Sequence, residues 1–216
     1  MTVTKLFWED PYATETVATV TGVHGAEITV DRTVAFAFSG GQRSDRGTIG
    51  GREILEAETR GAEIVYTLPP DHGLMSGDEV TVSIEWHTRY RVMRLHFATE
   101  LVLELVTRHF GAPPKLGANI TEEKARLDFR WESGSIAETF PLVTREVKRL
   151  VAANLEITSA YGDESAQRRF WRIEGFAQVP CGGTHLRRTG EVGEITLRRK
   201  NPGGGKERIE ISLAET

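Results

Sequence analysis

Pro180-Cys181-Gly182-Gly183-Thr184-His185, followed by Thr189-Gly190-Glu191-Val192-Gly193, is the stretch on which the reading of this chain turns. It puts the only cysteine four residues before a histidine, inside a tight glycine turn. A thiolate and an imidazole at that spacing can grip one zinc ion, with Zn–S near about 2.3 Å and Zn–N near about 2.0 Å. The glycines let the backbone bend sharply enough to aim both side chains at one point. Taken alone, the pair has a plainer reading, because a lone cysteine also serves as a small buried hydrophobe.

A second half-site lies upstream, in His96-Phe97-Ala98-Thr99-Glu100. Residues 90–106 read as a helix, with Thr88 as N-cap, Gly111 as the C-terminal stop, and Pro113-Pro114 blocking continuation. Positions 96 and 100 are i and i+4, so they stack on one helix face. Apolar neighbours desolvate both, and a buried carboxylate needs a partner. A metal is one such partner; a structural His–Glu hydrogen bond is another.

Several separated segments, in order, resemble the alanyl-tRNA editing family, which comprises free-standing trans-editing hydrolases and the editing domains of alanyl- and threonyl-tRNA synthetases. Phe38-Ser39-Gly40-Gly41-Gln42-Arg43-Ser44-Asp45-Arg46-Gly47 resembles the family's glycine-rich GGQ-x-x-D-x-G segment. Residues 93–101 resemble the helix bearing the first metal motif, His-x3-His, and 119–129 the strand pair that follows. Residues 181–193 resemble the second metal motif and its turn, and 200–211 the closing hairpin with Gly203-Gly204-Gly205. The resemblance implies a Zn2+ site at His96, Glu100, Cys181 and His185. It also implies a hydrolase that cleaves the ester between a wrong amino acid, serine above all, and alanine-specific tRNA. No synthetase catalytic domain fits in 216 residues, so such a chain acts in trans. Gly40 and Gly41 would admit the tRNA end, and Gln42 would orient water. Thr99, Asn119 and Thr184 are candidates for the serine hydroxyl, and Arg187 for tRNA phosphate. Gly-Gly-Gln also occurs in peptide-release factors, so the metal motifs, not this tripeptide, favour editing.

Glu100 departs from the pattern, which has a second histidine there. Three readings stand open. Glu100 can ligate zinc through oxygen, which makes a site with Cys⁻ and Glu⁻ neutral and its bound water less acidified. It can stay unligated as general base beside a three-ligand site with an open position. Or the metal is lost, leaving a binding module without turnover. A metal hydrolase of a small ester or amide, acting without RNA, is a further alternative.

Composition agrees with these readings. Hydrophobic residues make up 39% of the chain, enough for a core. One cysteine excludes an internal disulfide and suits a reducing cytoplasm. The first ten residues lack a signal-peptide pattern, and no stretch approaches the roughly 18 apolar residues a membrane span needs. A net charge of −4 opposes bulk attraction to nucleic acid. Neither a membrane nor DNA is therefore expected as partner. Aminoacyl-tRNA would be met by local basic clusters: Arg187-Arg188, Arg198-Arg199-Lys200, Lys206 with Arg208, Arg145 with Lys148 and Arg149, and Arg168-Arg169 with Trp171 and Arg172. His24, His72, His87 and His109 lack partner motifs and read as structural or exposed.

The chain divides near residue 85. Residues 1–85 read as short strands: a hairpin of 16–23 with 27–36, another of 54–59 with 63–68, and a strand at 79–86. Such strands suggest a small N-terminal β-barrel, carrying the GGQ loop. Residues 86–216 read as the metal-binding editing domain. It has the metal helix, strands in 117–131, a helix over 141–154, a short helix from Asp163, and strands from 171 onwards. Ile195, Leu197, Ile209, Ile211 and Leu213 alternate with polar residues, as in a half-buried hairpin. The fold class is α+β with an antiparallel sheet.

Overall fold

The computed structural model describes residues 2–132 and 134–214. It is α+β, and nearly all its strand pairings are antiparallel. The chain forms two compact units: Met1–Ser39 with Arg43–Tyr90, and Gly40–Gln42 with Arg91–Thr216.

The first unit holds a seven-stranded sheet. Its order is Arg52–Glu53, Gly47–Ile49, Glu79–Ile84, Glu15–His24, Glu27–Val30, Glu63–Thr67 and Glu56–Arg60. The two marginal strands are joined through only Ile54 and Leu55, so the sheet's edges lie within about 11 Å of each other at about 3.6 Å per residue. Ile54 N–H donates to Gly47 O and Leu55 N–H to Thr67 O, both at 2.9 Å, so the link bonds to the strand beside each margin. The sheet is therefore curled, though among the described residues no ladder joins its two edge strands. Alternation decides which face lies inside the curl: Val80, Val82 and Ile84 are buried while Glu79 and Thr81 face water. Val20, Ile28 and Tyr66 meet them in the core.

By its hydrophobic pattern, 31–36 should extend the first hairpin. Instead the pairing with residues 15–24 stops at Val30, and Arg32–Thr33 pairs in parallel with Thr4–Lys5. Beyond it, Asp45 accepts the Phe36 amide at 2.6 Å and the Arg89 Nε–H at 2.7 Å. Arg89 is fully buried and also donates to the carbonyls of Pro11 and Val34.

The long helix spans Trp86–His109. It starts before Thr88, because the Glu85 carbonyl already accepts the Arg89 amide. Thr88 is thus inside the first turn, and its hydroxyl donates to Glu85 Oε2 instead of capping. Leu95, Phe97, Ala98, Leu101 and Val102 are fully buried, as for a helix apolar around most of its girth. Gly111, at φ 73, ends it, and the Ala112 amide bonds back to Thr107 O at 3.0 Å, a Schellman closure.

Four strands form the second unit's larger sheet, in the order Lys115–Ile120, Ala125–Arg130, Lys206–Leu213 and Ile195–Gly203. Glu207, Ile209, Ile211 and Leu213 are buried in turn along one strand. Gly40–Gln42 attaches at the margin of this sheet: Ile120 N–H donates to Gly41 O at 2.8 Å, and Gln42 bridges Ile120 in parallel. Gly41 is glycine because φ is 91° and a Cβ would come 2.6 Å from Ala118 O.

Helix Phe140–Ala153 buries Val143, Val147 and Leu150, spaced i, i+4 and i+7. A capping box of Ser135 and Glu138 opens the short 3-10 turn before it.

A three-stranded sheet runs Thr158–Asp163, Arg168–Ile173, Ala177–Pro180. The short helix expected from Asp163 is a hairpin turn. Asp163 Oδ1 accepts from Ser165 Oγ at 2.7 Å and Ala166 N at 3.1 Å, so its side chain closes an Asx turn rather than capping a helix.

Candidate metal centre

The long helix supplies His96 and Glu100, one turn apart. The loop after strand Ala177–Pro180 supplies Cys181 and His185. Cys181 is fixed by its own amide, which donates to Arg169 O on the neighbouring strand at 2.9 Å. One donor atom from each of His96, Cys181 and His185 lies within 4.8 Å of the others. His96 Nε2 is 3.3 Å from Cys181 Sγ. Glu100 Oε1 is 3.5 Å from His96 Nε2 and 3.6 Å from Cys181 Sγ.

These residues fit a metal ion on three grounds. Tetrahedral zinc with ordinary bond lengths sets N···S at about 3.5 Å, N···O at about 3.4 Å and S···O at about 3.6 Å, close to the three separations among His96, Glu100 and Cys181. His185 Nε2 is buried without a hydrogen-bond partner, while its Nδ1 bonds Ser159 Oγ at 3.0 Å. Such an orphan is costly unless it has a ligand. Finally, sulfur, carboxylate and two imidazoles are a zinc donor set. The donor set alone leaves the identity of the ion open.

The electrostatics agree with a cation at this point. Burial works against charge on His96, but Cys181 and Glu100 outweigh it and raise the imidazole to about 10. Burial also works against charge on Glu100, yet the His96 contacts and the Trp171 N–H hold it down to about 2. Burial, and then the charge of His96, pushes His185 down to about 3, leaving it in the neutral form that ligates. The thiol and carboxylate thus hold a proton on His96 that a metal ion would have to displace.

The loop's shape is set by neighbours. Gly183 lies against His96: a Cβ there would overlap the imidazole Cε1 and come 2.7 Å from Gln42 Oε1. Gln42 is fully buried. Its Nε2 donates to Thr184 Oγ1 at 2.8 Å, and Thr184 N–H donates to its Oε1 at 3.2 Å. Both ends of the amide therefore hold the loop. The Thr189-Gly190-Glu191 turn is likewise structural in its contacts. Thr189 Oγ1 donates to Leu150 O, and Glu191 Oε1 accepts the amides of Arg187 and Arg188.

Of the other residues singled out in the sequence, Thr99 is buried beside Glu100 and donates its hydroxyl to Leu95 O at 2.6 Å. Asn119 sits on strand Lys115–Ile120, opposite Arg126 and next to the residue that Gln42 bridges. Arg187 is exposed two residues beyond His185. Gly40, at φ 60, leads into Gly41 and Gln42. His72 is buried, bonding Gly25 O and the Leu74 amide.

Two contributors carry no motif. Trp171 is fully buried and its Nε1–H donates to Glu100 Oε2 at 3.0 Å. Ser159 bonds His185. Strand pairing brings both in, and only a correct hairpin at residues 158–173 would have pointed to them.

Comparison with known proteins accords with this centre. Residues 169–210, which include Trp171, Cys181 and His185, match the threonyl and alanyl tRNA synthetase second additional domain. The chain is 29% identical over 221 residues to the alanyl-tRNA editing protein AlaX-M of Pyrococcus horikoshii, covering 97% of each. It is 30% identical over 242 residues to the AlaX-M protein of Methanosarcina mazei, covering 97% of this chain and 96% of that one. Against the alanine–tRNA ligase of Methanococcus aeolicus it is 30% identical over 228 residues but spans 25% of the ligase. The chain belongs to the alanyl-tRNA editing family.

Proposed function

We propose that this chain is a zinc-dependent hydrolase that removes a wrong amino acid, serine above all, from alanine-specific tRNA in trans. The observation that carries the reading is the cluster of buried His96 and His185 with half-buried Cys181 and Glu100, in a chain that matches free-standing editing proteins along nearly their whole length. His96, Cys181 and His185 would hold the ion, with Glu100 Oε1 as fourth donor. Zinc held there would supply a Lewis acid to an ester carbonyl or water that enters by expansion to five ligands.

The chain's own residues do the rest. Gln42 keeps Thr184, and with it the Cys181–His185 loop, in place. Both ends of the amide are bonded to Thr184 and the side chain is fully buried, so Gln42 acts by positioning the loop. Discrimination for serine needs a polar partner for its hydroxyl, since a site built to bond a hydroxyl strongly rejects its absence. Thr99, Thr184 and Asn119 are the groups proposed for it. The tRNA end is met by Arg187 and by basic residues of the closing hairpin. The first unit serves recognition. A thiolate ligand suits a reducing, cytoplasmic setting.

The test pairs metal analysis with deacylation. Purified protein should carry about one zinc per chain and hydrolyse seryl-tRNA(Ala) at least tenfold faster than alanyl-tRNA(Ala). Equal rates on both esters, or protein that takes up no zinc, would sink the proposal.

A further inference from the structure

We infer that the cross-strand pair Ser159–Trp171 is the positioning layer of the metal centre, turning Glu100 Oε1 and His185 Nε2 toward one ion. The inference rests on the metal reading given above and deepens it. Ser159 and Trp171 are register partners in the antiparallel pair Thr158–Asp163 with Arg168–Ile173, so they share one face of that hairpin. Each reaches a different donor on a different element. Trp171 Nε1–H holds Glu100 Oε2 at 3.0 Å, on the long helix. Ser159 Oγ holds His185 Nδ1 at 3.0 Å, on the loop.

Each bond removes a freedom that a ligand would otherwise keep. With Oε2 occupied by the indole, the carboxylate ligates through Oε1 alone, the oxygen 3.5 Å from His96 Nε2 and 3.6 Å from Cys181 Sγ. With Nδ1–H donated to serine, the imidazole presents the lone pair of Nε2, the atom left without a partner. Trp171 is itself locked: it is fully buried and meets Phe97 edge-on at 5.2 Å. Phe97 lies between His96 and Glu100 in sequence, so the ring that aims the carboxylate is braced by the same helix turn. Outer partners of this kind orient ligands and raise affinity.

The full chain is assayed for zinc affinity by chelator competition and, after cobalt substitution, by visible absorption. Ser159→Ala should bind zinc 10–100-fold more weakly and shift the cobalt bands, while its metal-free melting stays unchanged because Ser159 is exposed. Ser159→Thr should restore both readouts. Trp171→Phe should shift the cobalt bands as well; if it does not fold, Ser159→Ala decides alone. Wild-type affinity and spectrum in Ser159→Ala, with zinc binding abolished in His185→Ala, would overturn this inference and leave the metal reading standing. Retention of zinc in His185→Ala would overturn the metal reading itself.

Discussion

Gly111 and Gly183 are both constrained to glycine, one by backbone conformation and the other by its neighbours' side chains. At Gly111 the space is open, with nothing within 4 Å of an added Cβ, but φ is +73°. Alanine there carries only the left-handed conformational cost, about 1–2 kcal/mol. Gly183 has no positive φ, and the obstacle is the His96 ring and the Gln42 amide. Gly183→Ala should therefore weaken zinc binding by at least tenfold, because loop and imidazole must separate. Gly111→Ala should lower the urea midpoint and leave zinc affinity unchanged. Chelator competition and urea melts on the two variants check this contrast. At this scale the gathering of His96, Glu100, Cys181 and His185 was legible, because i, i+4 on a helix and Cys-x3-His in a glycine turn are spacings that sequence displays directly. The roles of Trp171 and Ser159 were not, since they depend on which residue faces which across a hairpin.

The long helix shows the same limit at the scale of an element. Its apolar body and its stop at Gly111 could be read from pattern and from glycine before proline. Its start could not, because Glu85 rather than Thr88 closes the first turn. Arg89 reads in sequence only as part of a helix, yet it is fully buried and chelates Asp45, which also caps the Phe36 amide. Removing one partner of such a pair strands a buried charge. Arg89→Met should cost about 3–5 kcal/mol in urea unfolding of the metal-free protein. A destabilisation under about 1 kcal/mol would mean that Asp45 finds water or another donor. Hairpins flanked by glycine were legible; the Asp163 turn was not, because an aspartate before small polar residues serves both helix starts and Asx turns.

Across the whole molecule, the basic clusters divide by what they touch. Arg199 pairs with Glu207, Arg208 with Asp128, and Lys148 with Glu194. The first two are committed to the fold, with Glu207 only 5% exposed, whereas Lys148 and Glu194 are both largely exposed. Arg198 and Lys206 are exposed on the same hairpin. Arg198→Gln with Lys206→Gln should therefore weaken tRNA binding and flatten its log–log salt dependence by about 0.7–0.9 for each phosphate no longer neutralised. Arg199→Gln should instead lower the melting temperature, by leaving buried Glu207 unpaired. Filter binding between roughly 50 and 200 mM salt, the range over which such slopes are steep, and thermal melts separate the two effects. Composition alone, with a net charge of −4, does not distinguish these clusters, because only pairing geometry shows which charges are committed.

Residues 40–42 have a consequence in time. The bonds from Gln42 to Thr184 join positions 142 residues apart in the chain. At a synthesis rate of about 5–20 residues per second, roughly 7–30 s separate the making of these two partners. Until then Gln42 is a lone amide waiting on a growing chain, and the loop that carries Cys181 and His185 does not yet exist. The His96, Cys181 and His185 cluster is therefore among the last parts of the nascent protein to be completed.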